Sequence, residues 1–261
     1  MTPILLIGAG RMGGALIAGW QRADAFPMNA LMIRDPQPGP EAVACGARLD
    51  PDPAAVGEAR TVVLAVKPQI WRAAAAEIAP LLAKDAVIVS VAAGVAAAAI
   101  AEAFDGRRVA RVMPTTAAAI GHGTASVFAA DPEARRRAHA LFEPVGTVVD
   151  LPDEDLMHAA TAVSGSAPAY LYAFVEALEA AGRSLGLPEA AARDLARATM
   201  AGSATLMAES GADPAELRRQ VASPAGTTEA ALKVLMGEHG LFPLLKEAAV
   251  AAAQRSRELG G

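Results

Sequence analysis

Short, almost unbroken apolar runs recur through the first 150 residues: Ile4 to Gly8, Ala30 to Arg34, Thr61 to Val66, Ala86 to Val91 and Val109 to Met113. A strand with one wet face alternates apolar and polar residues, so runs without that alternation must be covered on both faces. Helical patterns separate them, which predicts a parallel sheet with helices on either side, an α/β doubly wound domain. Thr124 to Ala129 and Gly146 to Leu151 extend the series, and the latter is expected to close an edge. Ala92 to Phe104, rich in alanine, reads as a close-packed helix.

After Pro152 the texture changes. Alanine, leucine and glutamate dominate at helical spacing, interrupted at Ser164 to Pro168, Gly186 to Pro188, Gly211 to Pro214 and Ser223 to Gly226. These interruptions are helix stop and start signals, so the second half is expected to be all helical. The reading is two domains, 1–151 and 152–261, with the boundary in the acidic segment Asp150 to Asp155. Alanine-rich helices allow close approach and often bury their faces against a second copy, which motivates a homodimer or higher homo-oligomer.

At 53% hydrophobic and 20% charged residues the composition is that of a globular protein. A net charge of −5 leaves no excess of cations to follow a phosphate backbone or an anionic membrane surface, so neither nucleic acid nor membrane is expected as a partner. Cys45 is the only cysteine, which excludes an intrachain disulfide and fits a cytoplasmic location. The first apolar run has no basic region before it and no small-residue cleavage site after it, and the chain is expected to be neither secreted nor membrane-inserted.

Immediately after the first strand, Gly-Ala-Gly-Arg-Met-Gly places Gly8, Gly10 and Gly13 in the G-x-G-x-x-G spacing, with Arg11 and Met12 inside it. Gly8 serves the tight turn, Gly10 admits a pyrophosphate, and Gly13 lets helix and strand approach, with a helix N-terminus facing the phosphates. This is the pattern of a dinucleotide-binding Rossmann domain. The second strand ends at Arg34-Asp35. Asp35 would accept from ribose hydroxyls, whereas Arg34 would attract a 2′-phosphate; the reading leans to NADH and leaves NADPH open. Val66-Lys67-Pro68 follows the strand from Thr61, where ligands bind in open α/β sheets. Lys67 there is either a cofactor or anion contact or a surface lysine, and Pro68 is expected in the first turn of the next helix. His122, His139, His158 and His239 lack ligand spacing, and no metal site is expected. In Ser223-Pro-Ala-Gly226-Thr227-Thr228 one threonine can cap the following helix or touch a substrate held at its N-terminus.

Taken together, Gly8 to Leu16, Val66 to Gln69, Ser90 to Val95, Arg111 to Thr116, Ala162 to Tyr170, Ser223 to Thr228 and Arg255 to Gly260 resemble the pyrroline-5-carboxylate reductase family along the whole chain. The resemblance implies an N-terminal Rossmann domain, a helical C-terminal dimerisation domain, and reduction of the small-molecule substrate 1-pyrroline-5-carboxylate to proline with NAD(P)H. It implies substrate binding by Ser223, Gly226, Thr227 and Thr228, with Thr228 at the ring nitrogen as the catalytic contact and Glu154 nearby. It also implies cofactor contacts from Ala65, Val66, Lys67, Pro68 and Ala93. The chain departs from the family at Thr115 and Ala117, where the usual residues are Asn and Pro, and at Ala167 and Ala225, where they are Gly. Thr115 and Ala117 imply a differently shaped loop near the nicotinamide. Ala225 is expected to have a negative φ, the condition under which alanine replaces glycine without strain. A cyclic imine reductase of different substrate and a dinucleotide-binding regulator without turnover are the alternatives.

Overall fold

The structure, a computed structural model, describes residues 1–259. Gly260, the last residue of the terminal Arg255 to Gly260 motif, lies outside them. Contacts divide the chain into two compact units: Met1–Gly165 with the chain end from Ala251 on, and Ser166–Val250. The first therefore extends past the expected boundary at residue 151.

The first unit is built on an eight-stranded sheet, β1 (Ile4–Ile7), β2 (Leu31–Arg34), β3 (Arg48–Leu49), β4 (Thr61–Leu64), β5 (Val87–Ser90), β6 (Val109–Pro114), β7 (Gly123–Phe128) and β8 (Gly146–Asp150), in the order β3-β2-β1-β4-β5-β6-β7-β8. All neighbours are parallel except β6 and β7. β8 forms one edge, as the sequence suggests. The other edge is β3, two exposed residues long and too short to leave a periodic signal.

Each central strand sends alternate residues to opposite faces. Ile4, Leu6, Ile33, Val63 and Val89 join one buried cluster. It includes Leu16, Ile17 and Trp20 of α1 (Arg11–Arg22) and Leu141 and Phe142 of a later helix. Leu5, Ile7, Met32, Val62, Leu64 and Ile88 join the other, with Trp71, Ile78, Ile100 and Phe104. This two-sided burial is why the strands read as continuous apolar runs.

α1 makes the first crossover, the others use α2 (Pro40–Ala44), α3 (Pro53–Gly57), α4 (Trp71–Ile78), α5 (Ala97–Ala103) and α6 (Pro132–Phe142), and α7 (Leu156–Ala160) follows β8. α3 and α6 each start at an Asp-Pro pair. The Asp52 and Asp131 carboxylates accept from the amides of Ala55 and Ala134, each at 2.9 Å, while the proline at the first helical position lacks the amide a helix start leaves unpaired. Two expectations are corrected. Pro68 opens a turn that closes at Ile70, where the Ile70 amide donates to the Lys67 carbonyl, and α4 starts only at Trp71. Likewise Ala92 to Ala96 is a loop, because Gly94 takes φ +79° and α5 begins at Ala97.

Two side-chain clusters tie this unit together. Buried Arg107 donates from Nε to the Ala83 carbonyl and from its terminal nitrogens to the carbonyls of Ala79, Leu82 and Phe104 at 2.7–3.1 Å. On α6, His139 Nδ1 lies 2.8 Å from Glu143 and Nε2 lies 3.1 Å from Asp150 of β8. Hydrogen bonding to Glu143 first, and then to Asp150, raises the imidazolium pKa above its ordinary value against the opposing effect of burial.

In the second unit α8 (Ala167–Ser184) packs on α9 (Glu189–Ser210), followed by α10 (Pro214–Gln220), α11 (Thr227–Leu235) and the first turns of α12 (Leu241–Glu258). Ala167, which replaces a family glycine, is the first residue of α8, where alanine is at ease. Only Ala192 and Ala196 are buried in this unit. Tyr172 is 68% exposed, Val234 76% and Phe242 63%, so the helices carry apolar faces the single chain does not cover.

Replacing Arg107 by alanine removes four hydrogen bonds to carbonyls, of which those of Ala79, Ala83 and Phe104 keep a backbone donor, and is expected to cost about 3 kcal/mol in urea unfolding. His139 stabilises the fold fully below its unfolded pKa of about 6.5, and that contribution is lost as pH rises through the raised folded pKa. The stability difference between wild type and His139→Asn should therefore be larger at about pH 6 than at about pH 9.

Candidate active site

Two helix starts without a side-chain cap carry many of the residues that the sequence singles out. The first lies at the switch point of the sheet, where β1 and β4 run side by side and their following segments diverge. Gly8 has φ +94°, and a Cβ there would lie 2.7 Å from the Ala65 carbonyl oxygen. A Cβ on Gly13 would lie 2.2 Å from the Gly8 oxygen, so neither position accepts a side chain. Gly10, the N-cap of α1, has open space within 4 Å of a Cβ position, and no side chain caps the helix. The first-turn amides of Arg11, Met12 and Gly13 have no acceptor within the helix. That cradle fits a pyrophosphate.

Asp35 anchors the turn. Its Oδ2 accepts from the Ala9 amide at 2.5 Å and its Oδ1 from the Gln37 amide at 2.8 Å, leaving further lone pairs for ribose hydroxyls. Arg34 is engaged elsewhere: it pairs with Glu77, lies 3.7 Å from Asp50, and donates to the Pro51 carbonyl. Arg34, Asp35, Asp50 and Glu77 line a cleft of about 550 Å³, in which three carboxylates surround one guanidinium.

The loops after β4 and β5 supply the remaining cofactor candidates. Ala65 donates its amide to the Ile7 carbonyl at 2.8 Å and Val66 is half-buried, while Lys67 is exposed and makes no ion pair among the described residues. Ala93 is half-buried between Ala92 and Gly94. Glu154 Oε1 receives both the Ala97 amide at 2.6 Å and Arg111 Nη1 at 2.7 Å. His158 lies by this pair, its Nδ1 3.0 Å from the Ser256 hydroxyl. Burial first, and then the Arg111 charge, lower its pKa and favour the neutral ring. Thr115 puts its hydroxyl to use, accepting from the Thr124 amide at 3.0 Å where β6 turns into β7.

The second helix start belongs to the other unit. Gly226, not a threonine, is the N-cap of α11, so Thr227 and Thr228 occupy the first turn and neither side chain caps it. Among the described residues the hydroxyls of Ser223, Thr227 and Thr228 make no hydrogen bond. A Cβ on Gly226 would lie 2.4 Å from the Ser223 hydroxyl and 3.0 Å from the Ser223 carbonyl oxygen, so a side chain there would displace that hydroxyl. Ala225 overturns its expectation: φ is +55°, in the left-handed region. It is held by Glu229, whose Oε2 accepts from the Ala225 amide at 2.5 Å. Sequence reasoning overlooked Glu229, although Gly226-Thr-Thr-Glu229 has the spacing by which an acid in the first turn reaches back to the preceding amides. It also passed over Arg111, which sits inside an apolar run.

Among the described residues no cluster of His, Cys, Asp and Glu could hold a metal ion, and no helix is long and apolar enough to cross a membrane. Residues 154–259 match the family model described as pyrroline-5-carboxylate reductase dimerisation, and residues 3–94 match NADP oxidoreductase coenzyme F420-dependent. The chain is 41% identical to a pyrroline-5-carboxylate reductase of Corynebacterium melassecola, covering 100% of this chain and 99% of that protein. It is also 41% identical to one of Pseudomonas aeruginosa, covering 99% and 97%. The solved pyrroline-5-carboxylate reductase of Coxiella burnetii superposes with a TM-score of 0.90 at 30% identity, covering 100% of this chain and 99% of that one.

An alanine in the left-handed region costs about 1 kcal/mol, part of which glycine loses again through its freer unfolded chain. Ala225→Gly is expected to leave unfolding stability equal or slightly higher. Ala225→Val, with its branched Cβ, should lower stability by more than about 1 kcal/mol.

Proposed function

The chain belongs to the pyrroline-5-carboxylate reductase family, and from that premise we infer that it reduces 1-pyrroline-5-carboxylate to proline with NAD(P)H. The observation that carries the reading is the start of α11, which no side chain caps and whose neighbouring hydroxyls are unused. The amides of Thr227 and Thr228 hold the substrate carboxylate, with Ser223 and Gly226 shaping the loop around it. The Thr228 hydroxyl accepts from the protonated imine N–H and fixes the orientation of the ring. A protonated imine is already electrophilic, so the chain need supply no strong acid.

Gly8, Gly10, Arg11, Met12 and Gly13 hold the dinucleotide phosphates, and Ala65, Val66, Lys67, Pro68 and Ala93 line its nicotinamide side. When bound, NAD(P)H supplies a hydride to the imine carbon, whose π pair moves onto nitrogen to give the secondary amine. The residues contribute position, holding the reacting atoms within about 3 to 3.5 Å. NADH is the proposed coenzyme. Asp35 suits ribose hydroxyls, and the Asp50 and Glu77 carboxylates oppose a 2′-phosphate while occupying Arg34. The functional form is a homodimer or larger homo-oligomer through the helical unit, supported by its exposed apolar faces. The compartment proposed is the cytoplasm, consistent with a single buried, free cysteine.

Absorbance at 340 nm with 1-pyrroline-5-carboxylate tests the reading, with NADH expected to give the higher kcat/KM. Oxidation only with other cyclic imines would move the assignment to a different substrate. Tight NADH binding without turnover of any imine would make the chain a regulator. Thr228→Ala is expected to lower kcat/KM by on the order of tenfold or more, the worth of a hydrogen bond of about 1 to 3 kcal/mol, with NADH affinity nearly unchanged.

A further inference from the structure

We propose that Glu154, paired with buried Arg111, is a positioning residue for the loop between β5 and α5 and not a substrate contact. The proposal rests on the reductase reading, in which this loop carries Ala93 at the nicotinamide side of the cofactor. The loop, Val91 to Ala96, has no polar side chain with which to fix itself. Its start is held by Ser90, whose hydroxyl accepts from the Ala92 amide at 3.3 Å. Its end is the N-terminus of α5, where the N-cap Ala96 offers no side-chain acceptor. Glu154 supplies the missing acceptor from another segment of the chain, through Oε1 to the Ala97 amide at 2.6 Å.

The same oxygen takes Arg111 Nη1 at 2.7 Å, and the Arg111 side chain is 5% exposed. Arg111 Nε is buried and unpartnered, and among the described residues Glu154 is the one carboxylate paired with this charge. A buried ion pair is a poor source of stability compared with apolar residues of the same size, but it fixes a direction. Here it aims Oε1 at the head of α5. His158 bonds instead to the Ser256 hydroxyl, and burial lowers its pKa. With Oε1 taken by two donors, one of them a buried cation, the Glu154 carboxylate is committed to the head of α5.

The test compares Arg111→Met/Glu154→Gln with Arg111→Met/Glu154→Ala. Both remove the buried charges, and only the first keeps an acceptor for Ala97. NADH binding is read by fluorescence titration without substrate, then KM for 1-pyrroline-5-carboxylate is read at saturating NADH. The glutamine form should bind NADH within about threefold of wild type and the alanine form about tenfold more weakly, the worth of one hydrogen bond. KM for the substrate should move by less than about twofold in both. Equal NADH affinities in the two forms would overturn the proposal, as would a raised substrate KM with NADH affinity unchanged. Failure of the glutamine form to fold would also overturn it, since the pair would then be an element of the fold. Absence of wild-type turnover would instead count against the reductase reading, and the NADH titrations would still decide the role of Glu154.

Discussion

The crowding of backbone at Gly8 is the constraint on which the first unit depends. β1 must end beside β4 and turn at once into α1, and the Gly13 and Ala65 backbones both come within a side chain's reach of the turn. That proximity brings the uncapped start of α1 to the carboxyl edge of the sheet, at the switch point. It also explains why the apolar runs can be short. Strands of four residues, such as β1, β4 and β5, suffice when both faces are covered by helices and the ligand-bearing turns leave directly from their ends.

Much of this was legible in the sequence because the physics is local. Unbroken apolar runs report two-sided burial, and glycine spacing reports close backbone approach. What escaped is non-local or conditional. β3 exists only because Arg48 and Leu49 pair with Met32 and Ile33, and two residues have no period to detect. Pro68 and Ala92 to Ala96 failed as helix starts because proline and alanine are equally compatible with a preceding turn, and Gly94 decides the second case through its positive φ.

In the candidate site the legible part was which segments matter, and the illegible part was how each is held. Ser223 to Thr228 could be identified as a loop before a helix, but not that Gly226 would take the N-cap and leave both threonine hydroxyls unused. Nor could Ala225 be expected to accept a left-handed conformation. That conformation is over-determined by its surroundings, with the Glu229 bond on one side and the Ser223 carbonyl accepting from the Gly226 amide at 3.0 Å on the other.

Three of the loops assigned to ligands share one device. Asp35 holds the Ala9 amide beside the glycine turn, Glu154 holds the Ala97 amide at the loop after β5, and Glu229 holds the Ala225 amide in the loop before α11, at 2.5, 2.6 and 2.5 Å. A carboxylate next to an anion-binding loop works against binding through its charge, so its retention calls for a compensating gain. Each carboxylate takes a single amide of its loop, which fixes the loop while leaving first-turn amides such as those of Arg11, Met12, Thr227 and Thr228 without an acceptor in the helix. Ordering such a loop at the moment of binding costs about 1 to 2 kcal/mol for every residue fixed, more than screened repulsion from a carboxylate that is already hydrogen-bonded. Rigidity therefore outweighs repulsion, and this favours acidic anchors even where the ligands themselves are anions.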